Sequence, residues 1–532
     1  MRPAFLLPLL LLLAACGPAT EAPEAPGAPA ADVPTLDVVE LDVADAGQRM
    51  ASGELSSRQL TQAYLDRIAA IDDDGPRLNA VIELAPDALA QAEALDAERA
   101  AGKVRGPLHG IPVLLKDNID AAGMVNSAGS LALAGHRPAD DAFLVARLRD
   151  AGAVILGKTN LSEWANFRSS RSTSGWSSRG GQTRNPYVLD RNPCGSSAGT
   201  GAAIAASLAT VGVGTETDGS ILCPSAVNGL VGLKPTVGLV SRDGIIPISI
   251  SQDTAGPMAR TVADAAALLS VLAVADPADP AGAGAEGKTA DYLAGLDKGA
   301  LAGKRIGVLR QAMGYHPDVD AATEAALEVL REAGADIVDP VEIATWRQWG
   351  GAEFEVLLYE FKDGLDTYLA DSGAPVASLE ALVAWNRENA DTAMPFFGQE
   401  LFEQALAKGP LTDAAYLKAR ADARRLAGEE GLLALLRDKG LDAVVAPTTG
   451  PAWPTDPVLG DHFSGAGYGV AAVAGTPSVT VPMGEVRGLP LGLAFMGPAW
   501  SERELLAFAY AFEQAMDARR PPGFVPTLPT SD

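Results

Sequence analysis

The stretch CGSSAGTG at residues 194–201, together with GTETDGS at residues 214–220, is the most unusual part of the sequence. A run of small side chains between the two segments, 202–208, predicts a helix. Glycines at this density allow backbone N–H groups to approach a reacting atom closely, and the serines among them are free to react. The stretch is therefore a candidate catalytic centre.

Three interpretations of this stretch compete. The plainest is a Gly/Ser loop whose hydroxyls only cap a helix or form turns. Residues 195–199 also fit the G-x-S-x-G nucleophile elbow around Ser197. That motif requires a buried strand directly before the serine, whereas residues 187–194 contain Pro193 and look like a loop. A phosphate-binding loop is rejected, because no G-x-x-x-x-G-K-[ST] pattern is present.

Short apolar runs alternate with helical patterns on both sides of this centre. Ser56 and Gln59 form a capping box before a helix with one apolar face. Buried strands alternating with helices predict an α/β fold, in which a large mixed, mainly parallel β-sheet core is flanked by helices in a single catalytic domain over residues 37–520. Within it, residues 345–435 are a candidate helical insertion at the substrate cleft. The runs of strand length are 113–115, 154–156, 209–213, 230–233, 306–309, 443–446, 478–482 and 491–495.

Composition limits the possible functions. The 532 residues are 48% hydrophobic, which is enough to bury a core, and 41 Lys and Arg against 67 Asp and Glu give a net charge of −26. This acidity opposes nucleic acid as a partner, because nucleic-acid binding needs a basic surface. Three cysteines and four histidines provide no Cys-based zinc cluster and disfavour a His-rich metal site. We expect no metal and no organic cofactor.

The N-terminus has the pattern of an export signal. Arg2 precedes an apolar run at 5–15, which is too short to span a bilayer as a helix. The run ends in LAAC at 13–16, which resembles the lipobox of a bacterial lipoprotein. Residues 1–15 are therefore predicted to be a lipoprotein-type signal peptide, with Cys16 as the lipidated residue.

The segment after the signal, 16–36, is rich in Pro and Ala and predicts an extended linker. The last residues, 521–532, predict a loose tail. We expect an exported protein on the periplasmic side of a bacterial membrane, with contact to the membrane only through the lipid anchor. The alternative is an ordinary cleaved signal and a soluble periplasmic protein.

Several motifs in register resemble the amidase signature family. That family pairs a G-S-S-G-type loop with a second serine about two dozen residues on, and here Ser196 and Ser220 are 24 positions apart. The sequence GLKPT follows at 232–236, and GIPVLLKD at 110–117 matches the family's upstream lysine motif. The resemblance extends from about residue 50 to about residue 515, and it implies the amidase signature fold.

Two positions depart from the common family pattern. Asp218 stands where the family usually has a glycine, and Leu222 stands where it usually has an arginine. With SQDTAGPM at 251–258, this variant looks most like the peptide amidase branch, which removes the C-terminal amide from peptides.

The resemblance implies a Ser–cis-Ser–Lys triad. Ser220 would be the nucleophile, Ser196 the proton relay with a cis peptide bond, and Lys116 the base. Lys116 must then be neutral, and burial beside the apolar strand residues before it would lower its pKa. The carboxylate of Asp117 would oppose this, but alternation along a strand directs it to the opposite face.

Further roles follow from the same resemblance. Ser197 is expected to support the network rather than attack, and Lys158 and Lys234 are interpreted as structural. Cys194 and Cys223 flank the two serines, and either a disulfide or two unpaired buried thiols fit the sequence. The backbone N–H groups expected to form the oxyanion hole are those of Thr217, Asp218, Gly219 and Ser220.

The sequence thus predicts a serine amidase that converts a carboxamide to carboxylate and ammonia through an acyl-enzyme. The C-terminal amide of peptides is the expected substrate, and small acylamides are the alternative. A protein similar to the A-subunit of tRNA-dependent amidotransferases is a third possibility, opposed by the signal and the acidity. A fourth is a non-catalytic, lipid-anchored binding protein of the same fold. The oligomeric state is left open.

Overall fold

An 11-stranded β-sheet forms the centre of this computed structural model, which describes residues 36–528. The strands in this part of the chain are β1 (Val81–Leu84), β2 (Pro112–Lys116), β3 (Val154–Thr159), β4 (Trp176–Ser177), β5 (Gly181–Gln182), β6 (Val211–Glu216), β7 (Val231–Lys234), β8 (Thr254–Ala259), β9 (Arg305–Leu309), β10 (Asp336–Val341), β11 (Ala443–Pro447), β12 (Ser478–Val486) and β13 (Leu489–Met496).

The sheet is mixed, with spatial order β1-β3-β2-β6-β8-β7-β12-β13-β11-β9-β10, while β4 and β5 pair separately. Parallel pairs form two blocks, β3-β2-β6 and β11-β9-β10. The strands that join the two blocks pair antiparallel, as does β1 with β3. The α/β architecture of one large mixed sheet flanked by helices is confirmed, with parallel order concentrated in the two blocks.

Helices cover both the sheet and the site. They are α1 (Val43–Ser52), α2 (Ser57–Ile68), α3 (Ala88–Ala100), α4 (Phe143–Asp150), α5 (Ala198–Ala205), α6 (Leu222–Val227), α7 (Val262–Leu272), α8 (Pro317–Glu332), α9 (Gly350–Asp371), α10 (Leu379–Glu388), α11 (Ala390–Ala393), α12 (Glu400–Leu406), α13 (Ala414–Arg424), α14 (Leu433–Lys439), α15 (Gly469–Ala474) and α16 (Glu502–Met516). Residues 345–435 are thus mostly helical, as predicted.

Local sequence signals account for most of these elements. The capping box of Ser56 and Gln59 opens α2, and every predicted strand run lies in or overlaps a strand. Three strands of the large sheet, β1, β8 and β10, were not predicted. The β8 sequence, TAGPMA, contains Gly and Pro, and β10 is a partly exposed edge strand with Asp and Pro. Both compositions are unfavourable for strands, so the pairing with neighbouring strands determines them.

The parallel block β3-β2-β6 positions the candidate site. Lys116, the last residue of β2, pairs with Thr159 at the end of β3, and β6 ends nearby at Glu216. The carboxyl ends of adjacent parallel strands lie at the same edge of a sheet, where ligands bind in open α/β folds. The lysine and the GTETDGS segment therefore meet at one edge.

Only part of the two predicted terminal segments falls within the described residues. The predicted signal peptide at 1–15, Cys16 and the linker up to residue 35 lie outside the described residues. Part of the predicted loose tail is described, and it is held in place: the N–H groups of Phe524 and Val525 donate to the carbonyls of Pro186 and Tyr187. No helix within residues 36–528 is long and apolar enough to cross a membrane.

The packing of α5 gives a prediction about stability. A Cβ atom at Gly199 would lie 2.3 Å from the carbonyl oxygen of Ala80 and 2.4 Å from that of Asn160. We expect Gly199→Ala to lower the free energy of unfolding by about 2–3 kcal/mol, because backbone atoms cannot move aside easily. The measurement is urea-induced unfolding.

Gly47 in α1 provides the matched control. A Cβ atom there meets no other atom within 4 Å, so Gly47→Ala should stabilise the protein by about 0.5–1 kcal/mol through helix propensity. Equal urea midpoints for Gly199→Ala and the unaltered protein would contradict the close contact around α5.

Candidate active site

Lys116 is fully buried, and its amine contacts the loop that carries the first serine. The Nζ atom donates to Ser196 Oγ at 2.7 Å, to Thr215 Oγ1 at 2.8 Å and to the Thr215 carbonyl at 3.1 Å. Asn118 Nδ2 also donates to Thr215 Oγ1 at 3.0 Å. The amine thus links β2, β6 and the serine loop at one point.

Burial determines the protonation of this amine. Desolvation lowers the pKa of Lys116 to about 7, although the carboxylates of Asp253 and Glu216 oppose the shift. Asp117 is directed away from Lys116. Its carboxylate accepts hydrogen bonds from Ser127 and Arg179, and it lies 3.5 Å from Lys158 Nζ. Lys116 is therefore available as a neutral amine near neutral pH.

Ser196 lies in a tightly packed loop. The Gly195–Ser196 peptide bond is cis, and the Ser196 carbonyl accepts from Ser162 N at 3.0 Å. A Cβ atom at Gly195 would lie 2.2 Å from Ser162 Oγ, so only glycine fits there. These contacts present the Ser196 hydroxyl to Lys116.

Ser197 is fully buried and its hydroxyl is already bonded. It donates to the Thr215 carbonyl at 3.0 Å and accepts from Thr215 N at 3.2 Å. A hydroxyl held in this way between two backbone groups of β6 is poorly placed to attack a substrate, which disfavours the nucleophile elbow around Ser197. Its backbone N–H donates to the Ser220 carbonyl at 3.2 Å, so Ser197 connects the two serine segments.

Ser220 lies in a turn between β6 and α6 that Glu216 organises. The Glu216 carboxylate accepts from Ile221 N at 2.7 Å and from Leu222 N at 3.0 Å, which closes the turn from the far side. Gly219 has a φ of 82°, and a Cβ atom there would lie 2.2 Å from the Tyr468 ring. Glycine is required at this position for both reasons.

The turn leaves a group of N–H donors unused. Within residues 36–528, the backbone N–H groups of the four residues before Ile221 find no acceptor, whereas the next two bind Glu216. Free N–H groups beside a serine can stabilise an oxyanion. The four donors belong to Thr217, Asp218, Gly219 and Ser220.

Cys194 and Cys223 form a disulfide, with a Cα–Cα distance of 6.0 Å. The sequence left open either a disulfide or two unpaired thiols, and the structure has the disulfide. The bridge joins the loop of Ser196 to α6, three residues after Ser220. It therefore connects the same two segments that the Ser197 hydrogen bond connects.

A cleft of about 320 Å³ opens over Ser220. Most of its wall is apolar or aromatic, and α9 contributes Leu357 to it. The described lining residues include no Lys, Arg or His, and their only acidic side chains are Asp218 and Asp461. The apolar and aromatic residues are Ala165, Phe167, Ile248, Leu357, Trp453, Phe463 and Tyr468.

The structure brings together the predicted residues Lys116, Ser196 and Ser197, and it places the Ser220 backbone against them. Sequence reasoning missed Thr215 and Glu216, although both lie within the GTETDGS stretch. Asn118, two residues after Lys116, was also missed.

Lys158 and Lys234 lie apart from Ser196. Lys158 donates to the Ile119 carbonyl and to Asn126, and Lys234 donates to the Pro235 carbonyl at 2.9 Å. Within the described chain, no group of three or more His, Cys, Asp or Glu side chains is arranged to hold a metal ion.

Comparison with known proteins places this chain among amidases. The family model described as Amidase matches residues 59–506. A probable amidase of Arabidopsis thaliana is 40% identical over 489 residues, which cover 88% of this chain and 89% of that protein. The A-subunit of the glutamyl-tRNA(Gln) amidotransferase of Roseiflexus castenholzii is 38% identical over 493 residues, covering 89% of this chain and 96% of that protein.

Among solved structures, the native peptide amidase from Stenotrophomonas maltophilia superposes with a TM-score of 0.88 at 60% sequence identity. The match covers 91% of this chain and 99% of that one. This similarity extends over most of the chain and confirms the fold.

The disulfide between the serine segments gives a second stability prediction. It closes a loop with a sequence separation of 29 residues. Replacing both cysteines by serine should lower the free energy of unfolding by roughly 3 kcal/mol, because the unfolded chain regains the entropy of that loop. Urea unfolding of the double variant measures this loss.

Reduction provides the control for this prediction. A thiol reductant should shift the unaltered protein toward the urea midpoint of the Cys194→Ser, Cys223→Ser variant and leave the variant unchanged. Identical midpoints for the oxidised protein and the double variant would show that the bridge does not contribute to stability.

Proposed function

Because the chain belongs to the amidase signature family and is a hydrolase acting on amide C–N bonds, we propose that it removes the C-terminal amide of peptides through a Ser220–Ser196–Lys116 triad. The observation that carries the proposal is the 2.7 Å hydrogen bond between Lys116 Nζ and Ser196 Oγ, in a pocket that lowers the pKa of the lysine to about 7. A neutral amine can accept the proton that a serine must lose.

Acylation begins with proton transfer through the relay. Neutral Lys116 takes the hydroxyl proton of Ser196 as Ser196 takes that of Ser220, and Ser220 Oγ attacks the amide carbonyl carbon. The free N–H groups of the Ser220 turn stabilise the resulting oxyanion. When the tetrahedral intermediate collapses, the C–N bond breaks, Ser196 returns a proton to the nitrogen and ammonia leaves.

Deacylation uses the same groups in the reverse sense. A water molecule takes the place of ammonia, gives a proton to Ser196 and attacks the acyl carbon. Ser220 recovers its proton, and the product acid loses its own proton to water and leaves as a carboxylate. No lining residue of the described cleft is a cation that would retain this product.

Two observations support a peptide as the acyl group. The cleft offers apolar and aromatic walls to a side chain, and a peptide amidase is 60% identical to this chain. The described lining also has no cation for the α-carboxylate of glutamine, the ammonia donor that an amidotransferase would use.

A substrate panel tests the proposal. We expect kcat/KM for an N-acylated dipeptide amide with an apolar C-terminal residue to exceed that for propionamide or glutamine by at least about tenfold, because one buried apolar side chain contributes that much. Released ammonia is the readout. A preference for propionamide would indicate a small-acylamide amidase, and a preference for glutamine would indicate transamidation.

The nucleophile is checked within the same panel. Ser220→Ala should lower ammonia release from the peptide amide by a factor of about 10³ or more. Ser52→Ala, at an exposed position in α1, is the matched control and should behave like the unaltered protein. Equal rates for Ser220→Ala and the unaltered protein would contradict the assignment.

The pH dependence of kcat/KM follows from the pKa of Lys116. The base must be neutral, and its pKa is lowered to about 7 by burial. The rate should therefore rise about tenfold per pH unit below pH 7 and level off above it. Lys116→Arg, which stays protonated, should abolish the rate across this range. A profile that falls between pH 6 and pH 8 would exclude a lysine base.

A further inference from the structure

Asp218 is exposed to the active-site cleft, although its neighbours Thr217 and Gly219 are buried. It lines the cleft together with Ser220, only two residues away. Two peptide units span at most about 7.6 Å, so the Asp218 side chain begins within one small molecule's length of the nucleophile. The related family pattern has glycine at this position, so the turn forms without a side chain there. The Asp218 carboxyl group is therefore free to serve another role.

The Asp218 carboxyl has room for a hydrogen bond from a ligand. Within residues 36–528, no N–H or O–H group donates to it and no cationic side chain forms a salt bridge with it. The other acid of the cleft, Asp461, already accepts from three side chains. Of the two acids that line the described cleft, Asp218 is thus the one that remains open to a hydrogen bond from a substrate.

Glu353 of α9 explains how an acid can lie beside an oxyanion hole. Asp218 is within hydrogen-bond reach of the Glu353 carboxylate, which also accepts from Gln252 Nε2 at 3.1 Å. Asp218 is accessible from the cleft but is largely surrounded by protein atoms, and this desolvation, together with the neighbouring carboxylates of Glu353 and Glu216, raises the pKa of Asp218 well above its usual value. This shift favours a protonated Asp218 that donates its O–H to Glu353, and its remaining carbonyl oxygen would not repel a developing oxyanion.

A primary carboxamide matches this arrangement. When its carbonyl oxygen lies at the free N–H groups of Gly219 and Ser220, its NH₂ group extends from the same carbon atom and offers two N–H donors. A methyl ester of the same acyl group has the same carbonyl oxygen but no N–H. An acceptor on the wall beside the oxyanion hole would therefore distinguish the two leaving groups.

We propose that Asp218 accepts a hydrogen bond from the NH₂ group of the scissile carboxamide and so sets the preference of the enzyme for primary amides. Glu353 is a positioning residue that holds the Asp218 carboxyl in its neutral form. The inference rests on the proposed function, because it assumes that Ser220 attacks in this cleft.

The test compares the amide and the methyl ester of one N-acylated dipeptide. Asp218→Gly, which restores the residue usual in the family, should lower the amide-to-ester ratio of kcat/KM about tenfold, the loss expected for one hydrogen bond. Asp218→Ala should give the same result and controls for the added backbone freedom of glycine. Ester turnover in both variants shows that the protein is folded.

Asp218→Asn is the conservative variant. Its amide oxygen can accept from the substrate while its NH₂ donates to Glu353, so the ratio should stay within about threefold of the unaltered value. An unchanged ratio in Asp218→Gly and Asp218→Ala would overturn the proposal, as would a parallel loss on both substrates. A low ratio in Asp218→Asn would overturn the neutral-carboxyl arrangement. Absence of amide hydrolysis in the unaltered protein would instead refute the proposed function.

Discussion

The amine of Lys116 has no contact with solvent, and the catalytic apparatus depends on the free energy that charging it there would cost. Burial alone would leave a neutral lysine without partners, but the hydroxyls of Ser196 and Thr215 and the Thr215 carbonyl surround the nitrogen. The strand that delivers the lysine is apolar and lies between two parallel neighbours, which keeps water out. The position of the base is therefore a property of the sheet, and the loops only bring the serines to it.

The serine loops are held by contacts that allow little adjustment. Gly195, Gly199 and Gly219 each lie where a Cβ atom would overlap another group by a large margin. The Ser197 hydrogen bond and the disulfide then join the two serine segments to each other. An oxidising compartment, which the N-terminal signal pattern predicts, would preserve this bridge.

Much of this could be read from the sequence, for reasons that differ by element. Apolar runs such as those of β2 and β3 report burial directly, and the Ser56 capping box is a local signal. The strand β8 could not be predicted, because its sequence contains Gly and Pro and it is extended only through pairing with β6 and β7. The disulfide between Cys194 and Cys223 could not be predicted, because it depends on the distance between two Cα atoms that are far apart in the sequence. Thr215 and Asn118 were missed because ordinary hydroxyl and amide residues acquire a role only through the amine they surround.

The ionisable groups around the reaction centre share one electrostatic feature. Lys116 is buried where its charged form is disfavoured, and Asp218 has its pKa raised beside Glu353. Both groups are therefore driven toward neutrality by the same desolvation, one by losing a proton and the other by keeping it. A site with few fixed charges has little to repel or trap an anion, so the charge that develops on the substrate oxygen interacts mainly with the N–H groups of the Ser220 turn.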